Sequence, residues 1–302
     1  MNESTQRVVA CIGVFDGVHR GHRTLIESAR ALADQAGLPL VAITFFPHPS
    51  VVLRPESVPA QVASLEDRIQ LLLEAGADEV VVIEFTPEYA HITPVEFIED
   101  ALVERMHAAH VVVGENFRFG RLAAGTPELL VSECGARGIL AHVVPVAADS
   151  APWSSTRVRR LVSNGEVEEA AEVLGRQFSL TGTIVHGDHR GRDLGYPTAN
   201  VQTAPGMLVP ADGVYAGWLE AAGERYPSAI SVGTNPQFEG AELRVEAYCL
   251  DREGLDLYGE PARVSFVRFL RGQAVFDSLQ GFLDQMGIDV AQARFVLRAS
   301  MA

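Results

Sequence analysis

The sequence predicts an α/β fold in its first half and an antiparallel β domain in its second, on three observations. Short β-branched runs alternate with helical-period segments through the first half. From about Phe178 the chain turns rich in Gly, Thr and Tyr, and strand-length runs follow one another across tight turns. The last stretch, SLQGFLDQMGIDVAQARFVLRAS, returns to helical period. At 302 residues the chain exceeds one typical core, so two domains of about 100–200 residues are expected.

VVACIGV, PLVAITF, EVVVIEF, HVVVGE and LAHVVPV read as buried strands, because near-continuous apolar runs suit a parallel sheet covered on both faces. Between them HRTLIESARALADQAG, SLEDRIQLLLEAGAD, PVEFIEDALVERM and TPELLVSECGARG place apolar residues near i, i+3 and i+4, several with a closing glycine. Strands separated by helices imply a doubly wound layer. SSTRVRRLVSNGEVEEAAEVLGR reads as two short helices, and the domain boundary is expected near residue 178. Beyond it GVYAGWLEA, YPSAISVG, LRVEAYCL and ARVSFVRFL read as strands of an antiparallel sheet or small barrel, with AAGE and DREG as turns.

Composition narrows the function. A 47% apolar and 21% charged chain is folded and soluble, and its net charge of −15 argues against nucleic-acid binding. All 24 basic residues are arginine, which excludes a Walker A loop and Schiff-base lysine chemistry. Cys11, Cys134 and Cys249 show neither metal-ligand nor disulfide spacing, as expected in a reducing cytoplasm. Neither a signal peptide nor an 18-residue apolar span is evident, so no membrane partner is expected.

GVFDGVHRGH, Gly13 to His22, lies at the C-terminal end of the first strand, where open α/β sheets bind ligands. Its glycines do not match the dinucleotide fingerprint. His19 and His22 share one face of the first helical turn, whose free N–H groups favour an anion, and Gly17 and Gly21 let a phosphate approach. Taken alone, the pair is equally compatible with an ordinary strand-ending loop. In GTIVHGDHRGRDLGYPTANV, Gly182 to Val201, the glycine density suggests N–H groups turned toward an anion, or an ordinary loop.

G-x-F-D-G-x-H-x-G-H resembles the signature of the adenylyltransferase half of bacterial bifunctional riboflavin kinase/FAD synthetases. The second long segment resembles the riboflavin kinase signature G-x-x-x-x-G-x-x-x-G-R-x-L-G-[FY]-P-T-A-N. TFFPHP (Thr44 to Pro49), GENFRFG (Gly114 to Gly120), SSTRVRR (Ser154 to Arg160), SVGTNPQFEG (Ser231 to Gly240) and RVEAYCLD (Arg244 to Asp251) extend the similarity in order. By themselves the serines of SSTRVRR read first as a helix cap, and a strand glutamate reads first as a solvated residue.

The resemblance implies a Rossmann-like nucleotidyltransferase domain over residues 1–178 and a β-barrel riboflavin kinase domain with a C-terminal helix over 179–302. It implies phosphorylation of riboflavin to FMN, then adenylylation of FMN to FAD with release of pyrophosphate. ATP would be the co-substrate, Mg²⁺ the metal, FMN and FAD the product ligands, and the chain a monomer or weak homo-oligomer. By resemblance His19, His22 and Glu246 are catalytic, Glu246 as the base on the riboflavin 5′-hydroxyl. ATP and phosphate would meet Gly13, Phe15, Asp16, Gly17, Gly21, Asn116, Ser155, Thr156 and Arg159 in the first domain. Gly182, His186, Gly187, Arg190, Gly191 and Gly195 would do so in the second. Flavin would meet His48, Pro49, Arg118, Asn200 and Arg271, and the metal Thr198 and Asn200. A single-activity version and a flavin-binding carrier without turnover are the alternatives.

Overall fold

The computed structural model describes residues 6–145, 148–149, 151–186, 196–233, 244–252 and 254–299. The chain divides into two compact units, Met1–Pro59 with Ser64–Ser155, and Ala60–Ala63 with Thr156–Ala302.

The first unit is built on a parallel sheet of β1 (Val8–Ile12), β2 (Leu40–Phe46), β3 (Glu79–Glu84), β4 (Ala108–Gly114) and β5 (Leu140–Val144). Its order is β3-β2-β1-β4-β5, so the chain's winding reverses beside β1, between β1 and β4. Such a switch point opens a crevice at the strands' C-terminal ends. The flanking helices are α1 (Arg20–Ala36), α2 (Pro49–Leu53), α3 (Leu65–Glu74), α4 (Pro94–Phe97) and α5 (Pro127–Ala136). Ala10, Ile12, Val41, Ile43, Val111 and Val113 line one face of the sheet and pack with Phe97, Ile98, Leu102 and Leu130. Both faces of β1 are buried, which is why it reads as an unbroken apolar run.

Local chemistry sets the helix ends. α1 stops at Gly37, in the left-handed conformation at φ 64°, and its N–H returns to Ala33 and Asp34. α4 starts in a capping box between Thr93 and Glu96. The single helix expected from PVEFIEDALVERM then widens to π-helical bonding over Ile98–Arg105.

α6 (Ser155–Ser163) begins on the last residue of the first unit, and the second unit carries the rest of it, α7 (Val167–Leu174) and the strands β6 (Phe178–Val185), β7 (Thr198–Thr203), β8 (Gly213–Ala221), β9 (Glu224–Gly233), β10 (Arg244–Cys249) and β11 (Pro261–Arg271). These strands close into a barrel of order β10-β7-β6-β11-β8-β9, every pair antiparallel. Closure leaves no strand edge to template aggregation. Ala222 and Gly223, both at positive φ, make the tight turn between β8 and β9 that AAGE predicts. The terminal helix α8 (Leu279–Ala299) packs Ala293, Val296 and Leu297 onto Ala216, Trp218, Ala229 and Leu250.

Two glycines test this packing in opposite directions. A Cβ on Gly217 of β8 would run into the Ser265 carbonyl of β11 and the Ile230 side chain, whereas one on Gly135 of α5 meets nothing within 4 Å. Thermal unfolding should show Gly217→Ala destabilised by about 1–3 kcal/mol through overpacking. Gly135→Ala should be stabilised by about 0.5–1 kcal/mol, as expected for removing an exposed helix glycine.

Candidate functional site

In the first unit, β1 delivers the chain into a turn with three residues at positive φ: Phe15 (52°), Gly17 (78°) and Val18 (38°). Non-glycine residues hold such angles only where the surroundings over-determine them. Phe15 is fully buried, its ring against Gly13 and edge-on to His22 at 5.2 Å. The Val14 carbonyl accepts from Thr44 Oγ1 at 2.9 Å and the Asp16 carbonyl from Ser155 Oγ at 2.8 Å. The turn is thereby pinned from β2 on one side and from the start of α6 on the other.

His19 caps α1, its Nδ1 accepting the His22 N–H at 3.3 Å, and the two rings stack 3.6 Å apart. Gly21 fits closely here, because a Cβ would press on the Trp153 carbonyl and the His19 ring at 3.1–3.2 Å. His22 Nδ1 is buried without a hydrogen-bond partner. The imidazole is held well below the ordinary histidine range, first by burial and then by the neighbouring His19 and Arg68 charges. A neutral imidazole such as His22 at a helix N-terminus can donate to, and position, an anionic group without itself carrying charge.

His48 caps the short α2, accepting from Ser50 N at 3.1 Å, with Pro49 as its first residue. Asn116 and Arg118 are exposed on the loop after β4, Arg118 donating to the Phe117 carbonyl. Phe119 of the same loop is a core residue stacked on Phe117. Thr156 and Arg159 belong to the second unit, where Arg159 Nε donates to the Ala60 carbonyl at 2.6 Å.

Sequence reasoning missed Arg68 on α3, which is fully buried and donates to the Phe45 carbonyl at 3.0 Å. A signal was there: Arg68 stands at the i+3 position of the apolar stripe Leu65, Ile69 and Leu72, on the face the helix turns inward.

In the barrel, strand register assembles a second set. Asn200 pairs with Glu246, Glu246 with Ser231, Ser231 with Val214, and Val214 with Arg271. Directly opposed residues share a face, so this row runs across four neighbouring pairs of strands on one side of the sheet. Thr198 stands two residues before Asn200 and opposite Tyr248, on the same face. The intervening Val245, Ala247 and Cys249 are buried on the other face. Tyr248, Ala229 and Ala216 form the next row and pack with α8. α8 therefore lies beside the row that carries Glu246.

Arg271 is engaged by α8: its Nη2 and Nε donate to Asp289 at 2.6 and 2.9 Å, and its Nη1 to the Gly272 carbonyl. Gly182 lies where a Cβ would strike the Gln202 carbonyl of β7. His186 stacks on Tyr258 at 3.9 Å. Gly187, Arg190, Gly191 and Gly195 lie outside the described residues. Thr198 offers a hydroxyl and Asn200 an amide oxygen, hard donors that fit Mg²⁺ completed by phosphate and water. Among the described residues no three His, Cys, Asp or Glu cluster as a metal cage, so such an ion would be shared with its substrate.

Known proteins carry the same two halves. Residues 1–157 match the FAD synthetase family and residues 174–297 the riboflavin kinase family. The bifunctional riboflavin kinase/FMN adenylyltransferase of Listeria monocytogenes is 36% identical over 290 residues, spanning 95% of this chain and 91% of its own. That of Escherichia coli (strain K12) is 33% identical over 288 residues, spanning 95% and 91%. A solved structure described as a macrolide-efflux protein from Streptococcus pneumoniae superposes with a TM-score of 0.87 at 32% identity, covering 96% of this chain and 95% of that one. Among the described residues, no helix here is long and apolar enough to cross a membrane. With both halves matched in order and curated relatives aligned along nearly the whole chain, the protein belongs to the bifunctional riboflavin kinase/FMN adenylyltransferase family.

Proposed function

We propose that this chain converts riboflavin to FAD in two ATP-dependent steps. In the barrel the riboflavin 5′-hydroxyl oxygen attacks the γ-phosphorus of ATP, ADP leaves, and Glu246 takes the hydroxyl proton. The observation that carries this reading is the pairing of Glu246 with Asn200, two residues from Thr198, on one face of the barrel. A base on one strand thus faces an amide and a hydroxyl on its neighbour, within reach of one phosphate group. Mg²⁺ held by Thr198 and Asn200 would neutralise phosphate charge. The described ATP-binding candidates of this half are Gly182 and His186, and Arg271 serves the flavin end by anchoring α8 through Asp289.

In the first unit an FMN phosphate oxygen attacks the α-phosphorus of ATP, and pyrophosphate leaves. His19 and His22 meet the ATP phosphates at the start of α1, where backbone N–H groups add to the donors. Gly13, Phe15, Asp16, Gly17 and Gly21 shape that turn, and Asn116 and Ser155 add nucleotide contacts within this unit. His48, Pro49 and Arg118 face FMN. The three cysteines are buried free thiols, which suits a reducing cytoplasm. The charge of −15 suits small substrates rather than nucleic acid.

Chromatography of FMN and FAD after incubation with riboflavin, ATP and Mg²⁺ tests the reading; absence of both products with flavin still bound would mean a carrier. His22→Ala should lower FAD formation by about 10²–10³-fold, the cost of losing one charge-stabilising donor, and leave FMN formation intact. Glu246→Gln should lower FMN formation by about 10²–10⁴-fold, while FAD formation from supplied FMN stays native. If either variant lost both activities equally, the assignment of two separate sites would be wrong. Chelation with EDTA should stop phosphorylation, and added Mg²⁺ should restore it.

A further inference from the structure

Beneath the paired histidines lies a buried cation that the proposed mechanism leaves unused. Arg68 is wholly inaccessible to solvent. Its Nη1 donates to the Phe45 carbonyl at 3.0 Å and, at 3.4 Å, to Thr44 Oγ1. Thr44 in turn donates to the Val14 carbonyl at 2.9 Å. One guanidinium thus ties the end of β2, which leads into the His48 loop, to the turn that leads into His19. Its Nε and Nη2 are buried with no hydrogen-bond partner, as is His22 Nδ1. A buried charge with unspent donors is costly, and such groups concentrate at functional sites.

We infer that Arg68 is a positioning residue of the adenylyltransferase site: through Thr44 it sets the Val14 turn, which leads into His19, against the end of β2. The inference rests on the adenylyltransferase reading of the first unit.

The chemistry follows from what can stay charged. Two imidazoles stacked at 3.6 Å repel if both are protonated. The groups that bear on His22 are His19 on its own turn and Arg68 on α3, both opposing protonation after burial itself. Burial lowers the Arg68 guanidinium from its usual value, while Asp16 acts in the opposite sense. A guanidinium starts so high that it keeps its proton at neutral pH, whereas an imidazole does not. Burial does most to keep His22 neutral, and the His19 and then the Arg68 charges act in the same direction. The pair divides the work: Arg68 provides field and geometry, and His22 provides directional hydrogen bonds.

The test uses the full chain with Arg68→Met, which keeps the stem and removes charge and donors, and Arg68→Lys, which keeps the charge. For each, kcat and KM for FAD formation from FMN and ATP are followed from about pH 5.5 to 9. Riboflavin phosphorylation by the same preparation serves as the control for the second unit, and thermal unfolding compared with the native chain as the control for folding of the first. Arg68→Met should lower kcat for FAD at least ~10-fold with phosphorylation within ~2-fold of native, as expected for a displaced charge-stabilising group. Its acid limb should move to higher pH, because without the neighbouring charge His22 takes up a proton more readily and leaves its neutral form. Arg68→Lys should keep the native acid limb and recover part of kcat. An unchanged acid limb in Arg68→Met, equal loss of both activities, or a lysine variant no better than methionine would overturn the inference. If Arg68→Met yields no folded chain, Arg68→Lys decides: a native kcat overturns the positioning role, and a reduced kcat with a native acid limb supports it. A native chain that forms no FAD from FMN and ATP would instead remove the adenylyltransferase reading, and this inference with it.

Discussion

A trans peptide points its carbonyl and the following N–H in opposite directions, and the turn between β1 and α1 is governed by that constraint. Thr44 takes hold of the Val14 carbonyl and Ser155 of the Asp16 carbonyl. The N–H groups of Phe15 and Gly17 are thereby directed away from those two side chains. The positive φ angles at Phe15 and Val18 would each cost about 1–3 kcal/mol in a free chain, and they persist because Phe15 is buried and both carbonyls are held. His19 then caps α1 in extended conformation, and the helix begins with its N–H groups at the switch point of the sheet. The stacking of the two histidines and the tight fit at Gly21 follow from where this turn is fixed, and Arg68 helps to fix it through Thr44.

The barrel solves the corresponding problem by register. No single strand carries a site: Thr198 and Asn200 lie on β7, Glu246 on β10, Ser231 on β9 and Arg271 on β11. They share a face because antiparallel pairing aligns them residue against residue. A slip of one residue in β10 would turn Glu246 inward and Val245 outward. The buried row Val245, Ala247 and Cys249 resists such a slip, so the hydrophobic interior secures the position of the carboxylate. α8 is held by the same logic, with apolar contacts on Tyr248, Ala229 and Ala216 and an ion pair between Arg271 and a nearly inaccessible Asp289. Such a pair orients a helix more than it stabilises it, because desolvation offsets much of the attraction.

Much of this was legible in the chain. The alternation of β-branched runs with helical periods predicted the parallel sheet, and the AAGE turn with its consecutive strands predicted the barrel. The resemblance in GVFDGVHRGH and PTAN pointed to the family before any coordinates. Periodicity was less informative where a residue's role depends on a partner far along the chain. The widening of α4 into π-helical bonding over Ile98–Arg105 left no mark in the spacing of its apolar residues. Phe119 lies in a loop by sequence, and its place in the core comes from folding, which brings it against Phe97 at 5.2 Å.

By itself the sequence determined which residues share an element and a face: His19 with His22 on a helical turn, Thr198 with Asn200 on a strand. Period 3.6 and period 2 are properties of the local backbone, and they need no tertiary information. Only the tertiary structure decided what lies opposite those faces. It placed Glu246 against Asn200, Ser155 on the Asp16 carbonyl and Arg68 beneath His22. The charge state of His22 is the sharpest case, because a histidine's proton depends on burial and on charges that arrive from another helix.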